Sequence, residues 1–448
     1  MKGATVDERV AGGEQAAAAS GESARRARAV RPIKMKRLLK LLAVVFLVAL
    51  ATQTPFIYRR YQLGRLDAKI RELNGWRVAD ADPTYADHKG AIHVHSFLGG
   101  HSAGTFADIT RAAQANGLAF VVMTEHPSGD YDTRALTLRG ARGGVLFVAG
   151  SETSESDADR FLTFGGTPTP PAAGAAVSPP ASTQESIDRA KAAGQLVFVA
   201  HPETFRSWGA ARGFDGMEIY NLHANAKFIN RPLLFFDGLW SYRSYPHLLW
   251  TRFYESPAAN LRRFDELTAP ADGGGGRKLV AIAGNDAHAN VGLALQDLAG
   301  HTLLSLKLDP YERSFGVVRT HVLVERDRPL NEEHLLSALA GGHAYVAFDL
   351  LCDATGFRFT ATNGAERKLM GDEIALNEGS VRFNVATPVN SRIQIIRNGQ
   401  VVSDAQEASY HGWETTEAGV YRVVCYLPQL GAPLDQKPWI ISNPIYVR

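Results

Sequence analysis

The chain of 448 residues has only two cysteines, Cys352 and Cys425, both late in it. Two thiols cannot build a cysteine-rich zinc site. Any metal must therefore be held by histidines and carboxylates, a donor set that suits zinc, manganese or iron. In an oxidising compartment the two cysteines are free to bridge; the alternative is a pair of buried free thiols. An excess of charge is missing too. Lys and Arg number 48 against 46 Asp and Glu, a formal net charge of +2. That leaves no basic surplus for nucleic acid and no acidic tail. The longest uninterrupted apolar run near the N-terminus, Leu41–Ala51, is shorter than the ~20 residues that cross a bilayer core.

That run follows basic residues between Arg25 and Lys40 and ends in Ala49-Leu50-Ala51, an A-x-A cleavage pattern. It matches the apolar region of a secretory signal that would begin at Met35. The competing reading is an uncleaved anchor stretching to Tyr58, with the preceding basic residues holding the N-terminus in the cytoplasm. Either reading puts the folded part outside the cytoplasm, in the periplasm, secreted or anchored to the inner membrane. Residues 1–37, rich in Ala, Glu and Arg without apolar periodicity, read as a disordered basic tail. Residues 38–58 are then signal peptide or membrane anchor, and 59–89 a linker or helical lead-in.

With 45% apolar residues the chain can bury a sizeable core. Apolar, β-rich runs at 118–123, 145–149, 196–200, 215–220, 279–284 and 316–324 alternate with helical patterns such as Thr105–Asn116, Gln184–Ala193 and Asn331–Gly342, the last with Asn331 as N-cap. Strands alternating with helices imply a largely parallel sheet or barrel over 90–351. Gly165–Ser182 and Gly273–Gly276 read as loops. From Cys352 the texture changes to short alternating runs split by turn signals such as Asn398-Gly399, which predicts an all-β sandwich over 352–448. The aromatic-rich stretch Phe235–Tyr254 is open to several readings: a lid, a pocket wall, a face against the β-domain or a membrane, or plain core packing.

Three apolar runs end in metal-ligand side chains: His93-Val94-His95, Thr124-Glu125-His126 and Asp286-Ala287-His288. Residues i and i+2 of a strand share a face, so His93 pairs with His95 and Asp286 with His288. His101 follows in a Gly-rich loop, Glu152 follows 145–149, and His201 follows 196–200. Glu218 and His223 close the run from Asp215. Seven of the fourteen histidines thus fall at or just past strand ends. In a barrel-like α/β enzyme the site lies at those ends.

The ordered set HxH…H, T-[DE]-H, G-x-E, H-P and D-x-H resembles the PHP (polymerase and histidinol phosphatase) superfamily over about residues 90–350, and looks most similar to its carbaryl-hydrolase-like branch. The resemblance implies a distorted (β/α)7 barrel with two or three divalent ions (Zn, Mn or Fe) at the strand ends. Carried over by motif, His93 and His95 would hold one ion, with Glu152 bridging. His101 and Asp286 would serve that ion or the bridge, His126 and His201 a second, and His288 a third or the substrate. The ligand usually found after the H-P motif has two candidates, His223 and Glu218, with His223 preferred. Two positions depart from the family pattern: Glu125 stands where Asp is usual, and Asn285 where Ser often precedes the Asp.

The expected activity is hydrolysis of a phosphate mono- or diester through a metal-bridging hydroxide. Asp286 belongs to that reacting centre, and His288 or His223 would give the leaving group its proton. Arg206, after the His201-Pro202 turn, is a candidate for binding a substrate phosphate. The alternatives are a carboxylic or carbamate ester hydrolase, or a catalytically silent, metal-stabilised binding module. The expected partner is a small-molecule ester, with no nucleic acid and with membrane attachment through the N-terminal apolar segment.

Overall fold

The computed structural model describes residues 35–448 except 79–81, 155–158, 167–181, 227–229, 253, 270–275, 291, 297–301, 308, 365 and 377–378. The expected disordered tail up to residue 34, most of the 165–182 loop and nearly all of 273–276 lie outside the described residues. The chain forms two compact units, Met1–Thr54 and Pro55–Arg448. In the first, the described residues are all helical and almost wholly exposed. They begin α1 (Met35–Trp76), whose later residues Leu63, Ile70 and Leu73 are buried in the second unit.

The second unit is organised around seven strands: β1 (Tyr85–Val94), β2 (Phe120–Glu125), β3 (Val145–Ser154), β4 (Arg160–Phe164), β5 (Leu196–Ala200), β6 (Gly216–Asn221) and β7 (Val280–Ala287). Each pairs with the next, and β7 pairs back to β1, so the sheet closes. The expected (β/α)7 pattern needs correction. β4 runs antiparallel to both neighbours, and among the described residues no α-helix joins β3 to β4 or β5 to β6. A β3–β4 hairpin brings the chain straight back, so that step has no need of a crossover helix.

Side-chain alternation fills the barrel. Phe120 and Val122, Leu162 and Phe164, Phe198 and Ala200, and Val280 and Ile282 belong to one interior cluster. The intervening Val121 and Met123 face outward onto α2 (Phe106–Ala115), with Ile109, Ala112 and Ala113. That helix opens with a capping box between Thr105 and Asp108, which satisfies two of its unpaired N–H groups. Helix α3 (Thr183–Ala192) is capped by Ser182; α4 (Arg231–Ser241) and α5 (Ala258–Thr268) lie between β6 and β7. Below the barrel, α6 (Glu332–Gly341) contributes Leu335 and Leu339 to the interior cluster; Asn331 caps it by accepting from the His334 N–H.

The expected strand at 316–324 is β8 (Arg319–Glu325), and it stands outside the barrel. It pairs antiparallel with the first half of β1, Tyr85–Gly90, whereas β7 pairs with the second half at Ile92 and Val94. From β8 the same sheet continues through β9 (Ala344–Ala347) into the C-terminal strands β10 (Arg358–Thr362), β11 (Val381–Arg397), β12 (Gln400–Thr415), β13 (Gly419–Tyr426), β14 (Ile440–Ser442) and β15 (Ile445–Val447). No α-helix occurs among the described residues after α6. The long β11 pairs with β10 over its first half and β13 over its second. Cys352 and Cys425 are both fully buried free thiols.

The Phe235–Tyr254 stretch divides. Leu248, Leu249, Trp250 and Tyr254 are core, with the Tyr254 ring stacked 4.0 Å from Phe348. In the earlier half, within α4, Phe235 and Leu239 are exposed while Asp237 and Ser241 are buried.

Candidate metal centre

The C-terminal ends of the barrel strands converge on one buried cluster of imidazoles and carboxylates. Its backbone is unusual. His93, His201 and Asp286 have positive φ values of 69°, 48° and 48°, a conformation that costs a non-glycine residue of order 1–3 kcal/mol and persists where its surroundings impose it. At His93 the pairing of β1 slips against both β2 and β7. Ile92 belongs to the interior cluster and Val94 to the outer one. The bulge therefore turns two consecutive residues, Ile92 and His93, inward, and alternation resumes to bring in His95.

Two carboxylates link the rings. Glu152 Oε2 lies 3.2, 3.3 and 3.1 Å from Nε2 of His93, His95 and His126, and its Oε1 lies 3.3 Å from His201 Nε2. Asp286 Oδ1 is 3.4 Å from His93 Nε2 and 3.6 Å from His95 Nε2, while Oδ2 is 3.5 Å from His201 Nε2. Each carboxylate thus faces His93 and His95 with one oxygen and His201 with the other, the geometry of a bridge. Ligand atoms fall within 4.8 Å of one another in three groups: His95, His126 and His288; His93, Glu152 and His201; and His93, His95 and Asp286. His126 and His201, expected on one ion, fall in different groups.

The cluster fits divalent cations. His93 Nε2 and both ring nitrogens of His95 are buried without a hydrogen-bond partner, a state that costs free energy unless something binds there. Nitrogen and carboxylate donors are the ligands zinc, manganese and iron accept. Burial pushes His126 down to about 4, with Glu152 opposing, and pushes His288 down to about 3, with Asp286 opposing. Both rings are therefore neutral, as ligands must be. Burial also works against charge on His201, but Glu152 and Glu203 outweigh it and carry that ring up to about 10, so an ion held by this ring would have to displace its proton. Glu152 and Asp286 are buried, which favours their protonation, yet the rings around them hold both well below the ordinary range.

The remaining expected residues frame the cluster. His288 donates its Nδ1–H to the Asp286 carbonyl at 2.8 Å, and its ring stacks 4.4 Å from that of His95. His101, on the exposed loop, folds back so that its ring is 4.2 Å from His126. Half-buried His223 lies beyond His288, ring centroids 5.1 Å apart. Arg206 is exposed, and its backbone N–H donates to Asp159 Oδ1 at 2.7 Å.

Four further residues support the cluster. Glu218 stands behind the cluster: its Oε1 is 2.6 Å from His93 Nδ1, and Oε2 accepts from the His201 N–H at 3.0 Å and Asn221 Nδ2 at 3.1 Å. Glu125 points away from the other carboxylates; it accepts from Ser96 N–H, Ser96 Oγ at 2.6 Å and Thr137 Oγ1 at 2.9 Å, and so pins the turn after His95. Arg160, the first residue of β4, reaches Glu152 Oε1 at 3.3 Å. Only the β3–β4 hairpin brings it there, and a sequence that reads as parallel strands gives no hint of that pairing. Tyr311 adds a further tie by donating to the His95 carbonyl at 2.5 Å.

No family model and no curated protein matches the chain. Among solved structures it is similar to endonuclease Q in complex with a 27-mer duplex carrying an abasic lesion at the active site, at 13% identity and a TM-score of 0.34 over 64% of this chain. The chain spans 59% of the length of that endonuclease. It is also similar to a Bifidobacterium adolescentis protein assigned as a metal-dependent phosphoesterase, at 15% identity and a TM-score of 0.27, covering 50% of this chain and 94% of that one.

Proposed function

We propose that this chain is a metal-dependent phosphoesterase of the PHP superfamily that hydrolyses a phosphate mono- or diester. The observation that carries the reading is the buried set of His93, His95, His201, Glu152 and Asp286, with half-buried His126 beside it and partnerless ring nitrogens turned toward two bridging carboxylates. The chemistry that divalent ions would supply there is that of a Lewis acid, lowering the pKa of water and neutralising charge on a phosphoryl group. His93 and His95 would hold one ion and His201 another, with Glu152 and Asp286 between them. His126, His288 and His101 complete the outer side.

The chain's own groups do the rest. Arg160, with 39% of its side chain exposed beside the buried Glu152, offers a guanidinium to a phosphoryl oxygen, a planar fork that suits phosphate. His223, half-buried at the outer rim, is in reach of a leaving group and would donate its proton. The carbaryl-hydrolase-like assignment rests on motif likeness alone.

The test is metal analysis of the full chain with assays on p-nitrophenyl phosphate, bis-p-nitrophenyl phosphate and p-nitrophenyl acetate. Two or three bound ions and phosphoester hydrolysis that disappears in His93→Ala and Asp286→Ala support the reading. Less than one ion per chain after metal-replete growth overturns it, and exclusive cleavage of the acetate replaces phosphorus with carbon.

A further inference from the structure

Helix α4 is inverted for a surface helix. An ordinary one turns its apolar stripe to the core and its charges to water. Here the single acidic residue of the helix, Asp237, has a side chain with no exposure and sits against Arg59 Nε at 3.1 Å and Arg252 Nε at 2.6 Å. The outward arc is Pro232, Leu233, Phe235, Phe236, Leu239 and Trp240, without a charge among them. Leu233, Phe235 and Leu239 are 45%, 56% and 67% exposed.

This arc is fastened to the part of α1 that follows Thr54. Phe56 packs on Phe236, ring centroids 5.2 Å apart, and Arg60 Nη1 donates to the Trp240 carbonyl at 2.6 Å. Beside those contacts Ile57, Tyr58 and Tyr61 are themselves exposed, at 39%, 60% and 59%. The apolar face therefore spans two elements. Tyr and Trp beside aliphatic side chains are the composition of a membrane–water interface.

What covers this face is indicated by the chain itself. Helix α1 is unbroken from Met35 to Trp76 and contains an 18-residue window of mean hydropathy 2.0, long and apolar enough to cross a membrane. Phe56 lies on that same helix. We propose that α4 and Phe56–Tyr61 form a monotopic docking face that lies in the bilayer surface next to the point where an α1 anchor leaves it. Apolar residues of such a face sit ~5–10 Å into the headgroup and acyl boundary. Asp237, with Arg59 and Arg252, then braces the helix from the protein side. Because α4 begins ten residues after Asn221, at the end of β6, docking also sets the strand-end face of the barrel close to the lipid surface.

The proposal does not depend on what the metal centre hydrolyses. The full chain is reconstituted into phosphatidylethanolamine–phosphatidylglycerol vesicles, with spin labels at Phe235→Cys or Leu239→Cys and at a control, Ser409→Cys, on the exposed side of β12. The native thiols are buried, and the unsubstituted chain taken through the same labelling gives the background signal. The expected result is a several-fold lower collision with a water-soluble nickel chelate, and a higher collision with oxygen, at 235 and 239 than at 409. Equal nickel collision at all three sites in vesicle-bound protein overturns the proposal. So does failure of the chain to enter the vesicles. Spin–spin broadening at 235 that vanishes on dilution with unlabelled chain overturns it in favour of a second copy. Circular dichroism and thermal unfolding matching the unlabelled protein establish that each variant is folded, and loss of hydrolysis with the labels still lipid-immersed would count against the phosphoesterase reading only.

Discussion

His93 Nδ1 lies 2.6 Å from Glu218 Oε1, and the other oxygen of that carboxylate holds the backbone N–H of His201. One buried side chain thereby orients a ring on β1 and the main chain of His201 just past β5. Such partners behind a ligand are typically worth ~10–100-fold in metal affinity. Glu218→Ala should weaken divalent-ion binding by that factor in a calorimetric titration. Glu218→Gln, which keeps an acceptor for the His201 N–H but not the charge, should fall between. Unchanged affinity in the alanine variant would remove Glu218 from the centre.

Gly284 leaves the space that Glu218 occupies. A Cβ there would sit 1.8 Å from Glu218 Oε1, inside any contact distance. Gly284→Ala should therefore reproduce the metal-binding defect of Glu218→Ala. Residues that act through one contact are not additive, so the double variant should bind no more weakly than the worse single one. Full additivity would mean that Gly284 matters for another reason.

Glu125 is a structural acceptor in this arrangement. Glu125→Ala strands the Ser96 N–H, the Ser96 hydroxyl and the Thr137 hydroxyl, and each unsatisfied buried group costs ~1–3 kcal/mol. Denaturant unfolding should register a loss of a few kcal/mol, about 3 or more, while bound metal stays at the wild-type stoichiometry. Loss of one equivalent of metal instead would make Glu125 a ligand.

A second buried ring sets an alkaline limit on stability. His321 lies between Asp87 (2.9 Å) and Asp349 (3.2 Å) where β8 meets β1. Burial opposes its charge, but the two carboxylates outweigh burial and carry it from 6.5 up to about 9. A pKa raised on folding contributes stability that is fully present below 6.5 and is lost as pH rises through 9, here roughly 3 kcal/mol. Unfolding free energy should fall across that window in the wild type. In His321→Gln it should be flat there and lower at pH 6. A wild-type profile without alkaline decline would refute the assignment.

Metal removal should act on stability as well as activity. Ions that bind only the folded chain stabilise it by mass action, ~4 kcal/mol at a thousandfold excess over Kd. Chelation should lower the calorimetric melting temperature, and readdition of Zn, Mn or Fe should restore it. A melting temperature indifferent to chelator would mean that the cluster is unloaded in the purified protein.

Much of the site could be read from residue order. Val- and Phe-rich runs ending in His or Asp marked the strand ends because burial and alternation are local consequences of composition. Thr105 and Asn331 marked helix starts for an equally local reason, since an N-cap needs only its own next turn. The inward turn of His93 obeys no such rule. Its φ of 69° and the register slip beside it depend on what β2 and β7 impose.

The sequence by itself determined the donor set, the apolar runs that become barrel strands, the helix-free texture after Cys352 and the apolar N-terminal segment, all properties of neighbours along the chain. Tertiary structure alone decided the antiparallel β4 that carries Arg160 to Glu152, the placing of Glu218 behind His93, and the outward face of α4. Each is a contact between segments far apart in sequence, whose free energy comes from excluding water between partners, and no local pattern records which partner that is.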